Sequence, residues 1–238
     1  MLRRGGVLPI IAGVVLAVIL IGAVAAAVIV HKYQTHRKEA GPLKELGAFD
    51  AGGVVIRDTV GDVRIVRANV SGVVLKSNLP VKANYSGGLL TVYCPTERKR
   101  GLLRFGEHNA CSDYRDGKVV IEVGRKLADI WVKDTVGDVE VDVNATRLVL
   151  KDVVGDVRAS APAEYLVEDI VGDVSIDAEG DVEVSDVVGD VYISIPANFS
   201  VQLSVKDVVG DVENTHSGEG MPVLVRVSDV VGDVRIGQ

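Results

Sequence analysis

The sequence predicts an all-β fold: a single-chain, right-handed parallel β-solenoid of 17–22-residue coils, preceded by one N-terminal transmembrane α-helix. Three observations carry this expectation. The phrase Asp-x-Val-Gly-Asp-Val starts at Asp58, Asp134, Asp152, Asp169, Asp186, Asp207 and Asp229, and Glu179-Gly-Asp-Val182 is a half-copy. From the second copy on, its glycines are 18, 17, 17, 21 and 22 residues apart, the near-fixed step of a stacked repeat. Around each copy, valines alternate with polar residues in the two-residue period of a strand with one buried face.

Residues 1–6 are a short basic leader with Arg3 and Arg4. Residues 7–30 are uncharged throughout, and at about 1.5 Å per residue they reach across a ~30 Å hydrocarbon core. Two readings stay open here. One is an uncleaved single-span membrane anchor. The other rests on Arg3-Arg4-Gly5-Gly6-Val7-Leu8-Pro9, which resembles the leader of archaeal type IV pilin-like proteins. That resemblance implies cleavage after a glycine and helices bundled into a filament.

Residues 31–48 read as a polar tether, with Gly41-Pro42 ending any continuation of the helix. The repeat domain is expected over 49–238, with a charged loop, 95–116, projecting from it. Within Val139-Glu-Val-Asp-Val143 the valines share one strand face and the acidic residues the other. No unit can bury its valines alone. Stacking at about 4.8 Å lets each strand bond to the next coil and builds a continuous valine column. Parallel crossovers of this kind are right-handed, which sets the expected sense.

Charge and composition bound the function. Residues 1–48 carry a balance of +4, and the remainder of −11, within a net charge of −7. An acidic body argues against nucleic acid as a partner. The four histidines lie far apart in sequence, and no nucleophile elbow, phosphate loop or zinc-helix spacing occurs. The chain is expected not to be an enzyme and to need no cofactor.

Orientation is contested within the sequence. Lys and Arg are denser after the apolar run than before it, which favours a cytoplasmic body. Against this, four of the seven asparagines (Asn69, Asn84, Asn144 and Asn198) sit in Asn-x-Ser/Thr acceptors. Cys94 and Cys111 form a lone pair spaced for a disulfide. The acceptors outweigh the charge count, and the body is placed outside the cell as a glycoprotein.

Layout and phrase from Phe49 to Ile236, with Gly87-Gly-Leu-Leu90 as an early strand, resemble a prokaryotic adhesin-like β-strand-repeat family, the toast-rack proteins. The resemblance implies a parallel β-solenoid on a cell envelope with roles in adhesion or envelope-stress sensing, and no catalytic residues. The residue before the glycine is often serine in that family and is valine here in every full copy.

Three candidate sites follow. In-register coils would align Asp138, Asp156, Asp173, Asp190, Asp211 and Asp233 in one column, either as turn residues capping backbone amides or as a ladder for calcium. A parallel column would hold the phrase's first aspartates. Arg98, Lys99, Arg100 and Arg104, between the cysteines, form either a solvated hairpin tip or a contact loop for cell-surface glycans, lipid headgroups or an envelope protein. Trp131 is expected as a core or capping residue. The chain ends at Gln238, four residues past the last phrase, so the final coil is expected to be uncapped and to offer its edges to another copy.

Overall fold

Each copy of the phrase makes one corner between two strands. In the computed structural model, which describes residues 37–98 and 107–238, the segment before the glycine lies in one sheet and the segment after it in another. Leu127–Val136 and Val139–Asp142 are such a pair. Leu127–Val136 lies in register and parallel with Ala145–Val154, and Val139–Asp142 with Val157–Ala161. The result is two facing sheets, of ten and nine strands, built coil upon coil. Glu39–Gln238 form one unit. The strand Lys44–Phe49 already belongs to a sheet, so folded structure begins within the stretch read as a tether.

Two residues of the phrase fix the corner. The first aspartate adopts a positive φ in every copy, from 51° at Asp134 to 57° at Asp169. There the inward alternation slips by one residue, from Val132 to Thr135, so the strand bends around the core. Asparagine and aspartate tolerate this left-handed region better than other side-chain-bearing residues. The glycine, φ 143° at Gly172, meets the glycine of the preceding coil: a Cβ on Gly172 would lie 2.3 Å from the Gly155 carbonyl oxygen. Only glycine lets the corners stack this closely.

Inward residues form columns through the stack. Val54, Ile130, Leu148, Tyr165, Val182 and Val225 make one, and Val63, Val139, Val157, Val174, Val191 and Val234 face it from the other sheet. All of these are buried. Outward charges pair between neighbouring coils, as Arg64 does with Glu140 at 3.2 Å and Lys151 with Glu168 at 2.9 Å. The Glu168 carboxylate, through this hydrogen bond, raises the Lys151 pKa.

Chain order and spatial order part company at both ends. The first coil, Gly53–Val60 with Asp62–Arg67, stacks directly on Leu127–Val136, and the intervening chain builds the layer beyond it. That layer is Leu89–Tyr93 and Lys118–Val123. Antiparallel strands then close it: Lys82–Ser86 on the first, and Val73–Ser77 followed by Lys44–Phe49 on the second.

At the opposite end the sequence misled. The last copy of the phrase was expected to end the stack, uncapped. Instead Met221–Val231 pairs with Val182–Val188 on one side and Phe199–Val209 on the other. The C-terminal coil is therefore enclosed, and the end of the stack is Phe199–Val209 with Val212–Asn214. The glycine steps of 21 and 22 residues are the trace of this inversion. Skipping a layer means crossing about 10 Å on the way out and about 5 Å on the return, and the longer steps supply the extra chain.

Among the described residues, no helix is long and apolar enough to cross a membrane. The transmembrane expectation over 7–30 lies outside the described residues, as do the leader and the pilin-like motif.

Candidate functional site

The aspartate column read from the sequence is real, and its local chemistry is visible. A corner amide that points back toward the preceding coil finds no carbonyl there; the preceding aspartate supplies a carboxylate instead. The Asp156 amide donates to Asp138 Oδ1 at 3.0 Å, that of Asp173 to Asp156 at 3.1 Å, and that of Asp190 to Asp173 at 2.9 Å. Asp233 continues onto Asp190 at 2.9 Å and Asp211 onto Asp233 at 3.0 Å. One oxygen of each of these carboxylates but that of Asp211 is thus occupied by an amide from the next coil, which gives these corner amides an acceptor. Asp211, in the terminal coil, donates into this ladder without a further coil beyond it.

Cations lie beside members of both aspartate columns: Arg57 meets Asp58 at 2.6 Å and Lys151 lies 3.6 Å from Asp169 in the first, and Arg235 lies 3.1 Å from Asp233 in the second. Between the two aspartate columns runs a line of outward valines, Val136, Val154, Val171, Val188, Val231 and Val209, all exposed. This edge is an acidic surface with an apolar ridge. Among the described residues no three His, Cys, Asp or Glu side chains converge as a metal centre would require.

The cysteines are bonded, Cys94 to Cys111, with both residues buried. The loop they close starts as a small hairpin, Thr96–Arg98 against Glu107–Asn109, and ends in a turn of 3-10 helix, Ala110–Asp113. Its base is fastened to the first coil, since Asn109 Nδ2 donates to the Asp58 carbonyl at 2.7 Å. His108 lies 2.8 Å from the Asp113 carboxylate. Lys99, Arg100 and Arg104 of the candidate contact loop fall outside the described residues.

All four acceptor asparagines, Asn69, Asn84, Asn144 and Asn198, are exposed. Two stand at special places: Asn84 in Lys82–Ser86 and Asn198 at the entry to Phe199–Val209, the two edge strands of the nine-stranded sheet.

Sequence reasoning missed two features. Trp131 is half-buried on the outer face rather than in the core, with the Arg147 guanidinium 5.7 Å from its ring. Its in-register neighbours Val55, Val149 and Leu166 are also apolar and outward. The signal was available, because Trp131 falls between the inward residues Ile130 and Val132. Tyr165 was read only as part of the alternating pattern. Its buried hydroxyl accepts the Ala161 amide at 2.6 Å and lies 2.7 Å from the Ala161 carbonyl, and burial pushes its pKa up.

No protein-family model matches the sequence, and neither does any curated protein. Solved structures similar to it include a candidate cell-adhesion protein from Clostridium sporogenes, at 14% identity and TM-score 0.45, covering 83% of this chain and 98% of that one. A candidate adhesin from Bacteroides fragilis shows 13% identity and TM-score 0.42 over 84% and 99% of the two chains. One from Parabacteroides merdae shows 12% identity and TM-score 0.32 over 82% and 95%. These are likenesses at low identity and low score, and no role is taken from them.

Proposed function

We propose that this chain is a non-enzymatic, membrane-anchored protein of the cell surface whose right-handed parallel β-solenoid serves adhesion or envelope structure. The observation that carries the reading is the Cys94–Cys111 bond, which closes the base of the hairpin loop. A disulfide persists outside the reducing cytosol. The four exposed acceptor asparagines support the same side of the membrane, since oligosaccharyl transfer needs accessible acceptors. A regular stack of coils also suits a spacer or a display surface, because each coil adds the same rise and the same outward face.

Intact-mass and N-terminal peptide analysis of the protein from its own membranes tests this. A start at Met1 or Leu2 with glycans on Asn69, Asn84, Asn144 or Asn198 is the expected result. A start at Gly6 or Val7 would replace the anchor with the pilin-like reading, in which the first helix packs into a filament. The full-length start without any glycan would put the stack in the cytoplasm and overturn the proposal.

A further inference from the structure

Phe199–Val209 and Val212–Asn214 end the stack, with no strand beyond them among the described residues. Their inward residues carry the core columns one layer further: Leu203 follows Val225, Val205 follows Val227, and Val208 follows Val230. In the enclosed coil these positions are at most 1% exposed, whereas Leu203, Val205 and Val208 are only half-buried and Val212 is 45% exposed. Half of each terminal side chain therefore faces a layer that the described residues do not supply.

Edge strands are ordinarily blunted by charge, proline, a bulge or shortness. This one is 11 residues long, and from Phe199 to Val205 it carries no charge and no proline. Its outward residues there, Ser200, Gln202 and Ser204, are uncharged, and Ser204 stands where the neighbouring coils have Arg226 and Glu183. We infer that this end is a self-association surface and that its occupant is a second copy of the chain, joined end to end about a two-fold axis. The opposite end decides the occupant's orientation. Its edge strands, Lys82–Ser86 and Lys44–Phe49, are short, carry Lys82, Lys44 and Glu45, and the second shifts register at Glu45/Gly47, so that end is blunted against head-to-tail stacking and the pairing favoured is through the same face of both copies.

A two-fold at the strand centre pairs the edges antiparallel, Leu203 opposite Leu203 of the second copy and Gln202 opposite its Ser204. Each copy then supplies the missing layer of the other's valine columns, and the free N–H and C=O groups of both edges find partners. Asn198 would face Val208 of the second copy, so a glycan on Asn198 and this pairing exclude each other. Only that last clause rests on the glycoprotein reading; the pairing itself rests on the fold.

The test uses the full-length chain made in bacteria, without N-glycans, in detergent micelles, with Ser204→Cys as reporter. The native cysteines are already bonded and leave one reactive thiol. A short bismaleimide should give covalent dimer at least about ten-fold above an Ala128→Cys control, because pairing raises the local thiol concentration far above bulk. Adding Gln202→Glu and Lys206→Glu, both at exposed positions, should return the yield to control while leaving the melting temperature unchanged. Crosslinking of Ser204→Cys no better than control would overturn the inference, as would insensitivity to the two glutamates. Protein from a glycosylating host, with Asn198 occupancy read by mass, should lose the crosslink when Asn198 is occupied and regain it in Asn198→Gln. Dimer from Asn198-glycosylated chains would overturn the exclusion; absence of any glycan would overturn the glycoprotein reading and leave the dimer standing.

Discussion

The two ends of the stack are built from the same kind of layer and are finished in opposite ways. At the Leu89–Tyr93 end, three antiparallel strands follow the last parallel pair, and the outermost ones carry Lys44, Glu45 and Lys82. A register shift between Glu45 and Gly47 bends one edge, and Phe49 and Tyr85, one from each sheet, meet with ring centroids 5.8 Å apart. Tyr85 also donates to the Asp50 carbonyl at 3.0 Å, so an aromatic pair bridges the two sheets over the core. At the Phe199–Val209 end the described residues form no such closure. What differs is not the repeat but the presence of a further layer. Burial of a valine in this fold is a property of its neighbours in the stack, and the same residue type at the same position is core or surface accordingly.

The comparison can be broken first at the corners. Gly172→Ala places a methyl group 2.3 Å from the Gly155 carbonyl at a φ that side chains disfavour. A loss of about 3–5 kcal/mol in unfolding free energy is expected by chemical denaturation. A Cβ on Gly210, in the open end, would lie 2.2 Å from the Gly232 carbonyl oxygen, but there the terminal coil can shift outward to relieve the clash. Gly210→Ala should cost less than Gly172→Ala; equal losses would mean that both ends are equally constrained.

Truncating core valines sharpens the contrast. Val184→Ala, in an enclosed coil, removes two buried carbons and leaves a cavity, for about 2–3 kcal/mol. Val205→Ala, in the same column at the open end, should cost about 1 kcal/mol or less in the monomer. The aspartates divide the same way. Asp156→Ala deprives the Asp173 amide of its acceptor and should cost about 1 kcal/mol, whereas Asp211→Ala orphans no amide of a following coil and should fall within about 0.5 kcal/mol of wild type. If calcium rather than the amide ladder held these carboxylates, chelator would lower the melting temperature; indifference to chelator and to added calcium is the expected outcome.

The smallest effect is alkaline. Burial holds the Tyr165 pKa above its unfolded value of about 10, so its neutral form contributes stability fully below that pH and loses it as pH rises further. Tyr165→Phe should lower stability at pH 7, because the Ala161 amide loses its acceptor, and flatten the fall in stability above pH 10.

Much of this was legible in the sequence. The repeated phrase located the corner of each coil that carries it, though not the one at Asp116-Gly117, and the two-residue period of Val139-Glu-Val-Asp-Val143 told inward from outward residues. Pairing of Cys94 with Cys111 was read from their number and spacing. Coil order was not legible, because parallel pairing depends on which strands lie adjacent, and all coils present nearly identical valine faces. Only the longer steps around Asp207 hinted at it. The cap was hidden for a related reason: Lys82–Ser86 is exposed along its whole length and has no alternation to read. Trp131 went to the wrong face because residue type was weighed above its phase between Ile130 and Val132.

Native-state hydrogen exchange of the soluble-facing unit, read by peptide mass in the full-length chain, tests the inverted coil order most directly. Met221–Val231 and Val234–Gly237 have paired strands on both sides, whereas Phe199–Val209 and Val212–Asn214 have them on one. Peptides from 221–237 should therefore exchange more slowly than peptides from 199–214. Slower exchange in 199–214, with 221–237 fraying as a free end, would mean that the coils follow chain order and would contradict the open end described here.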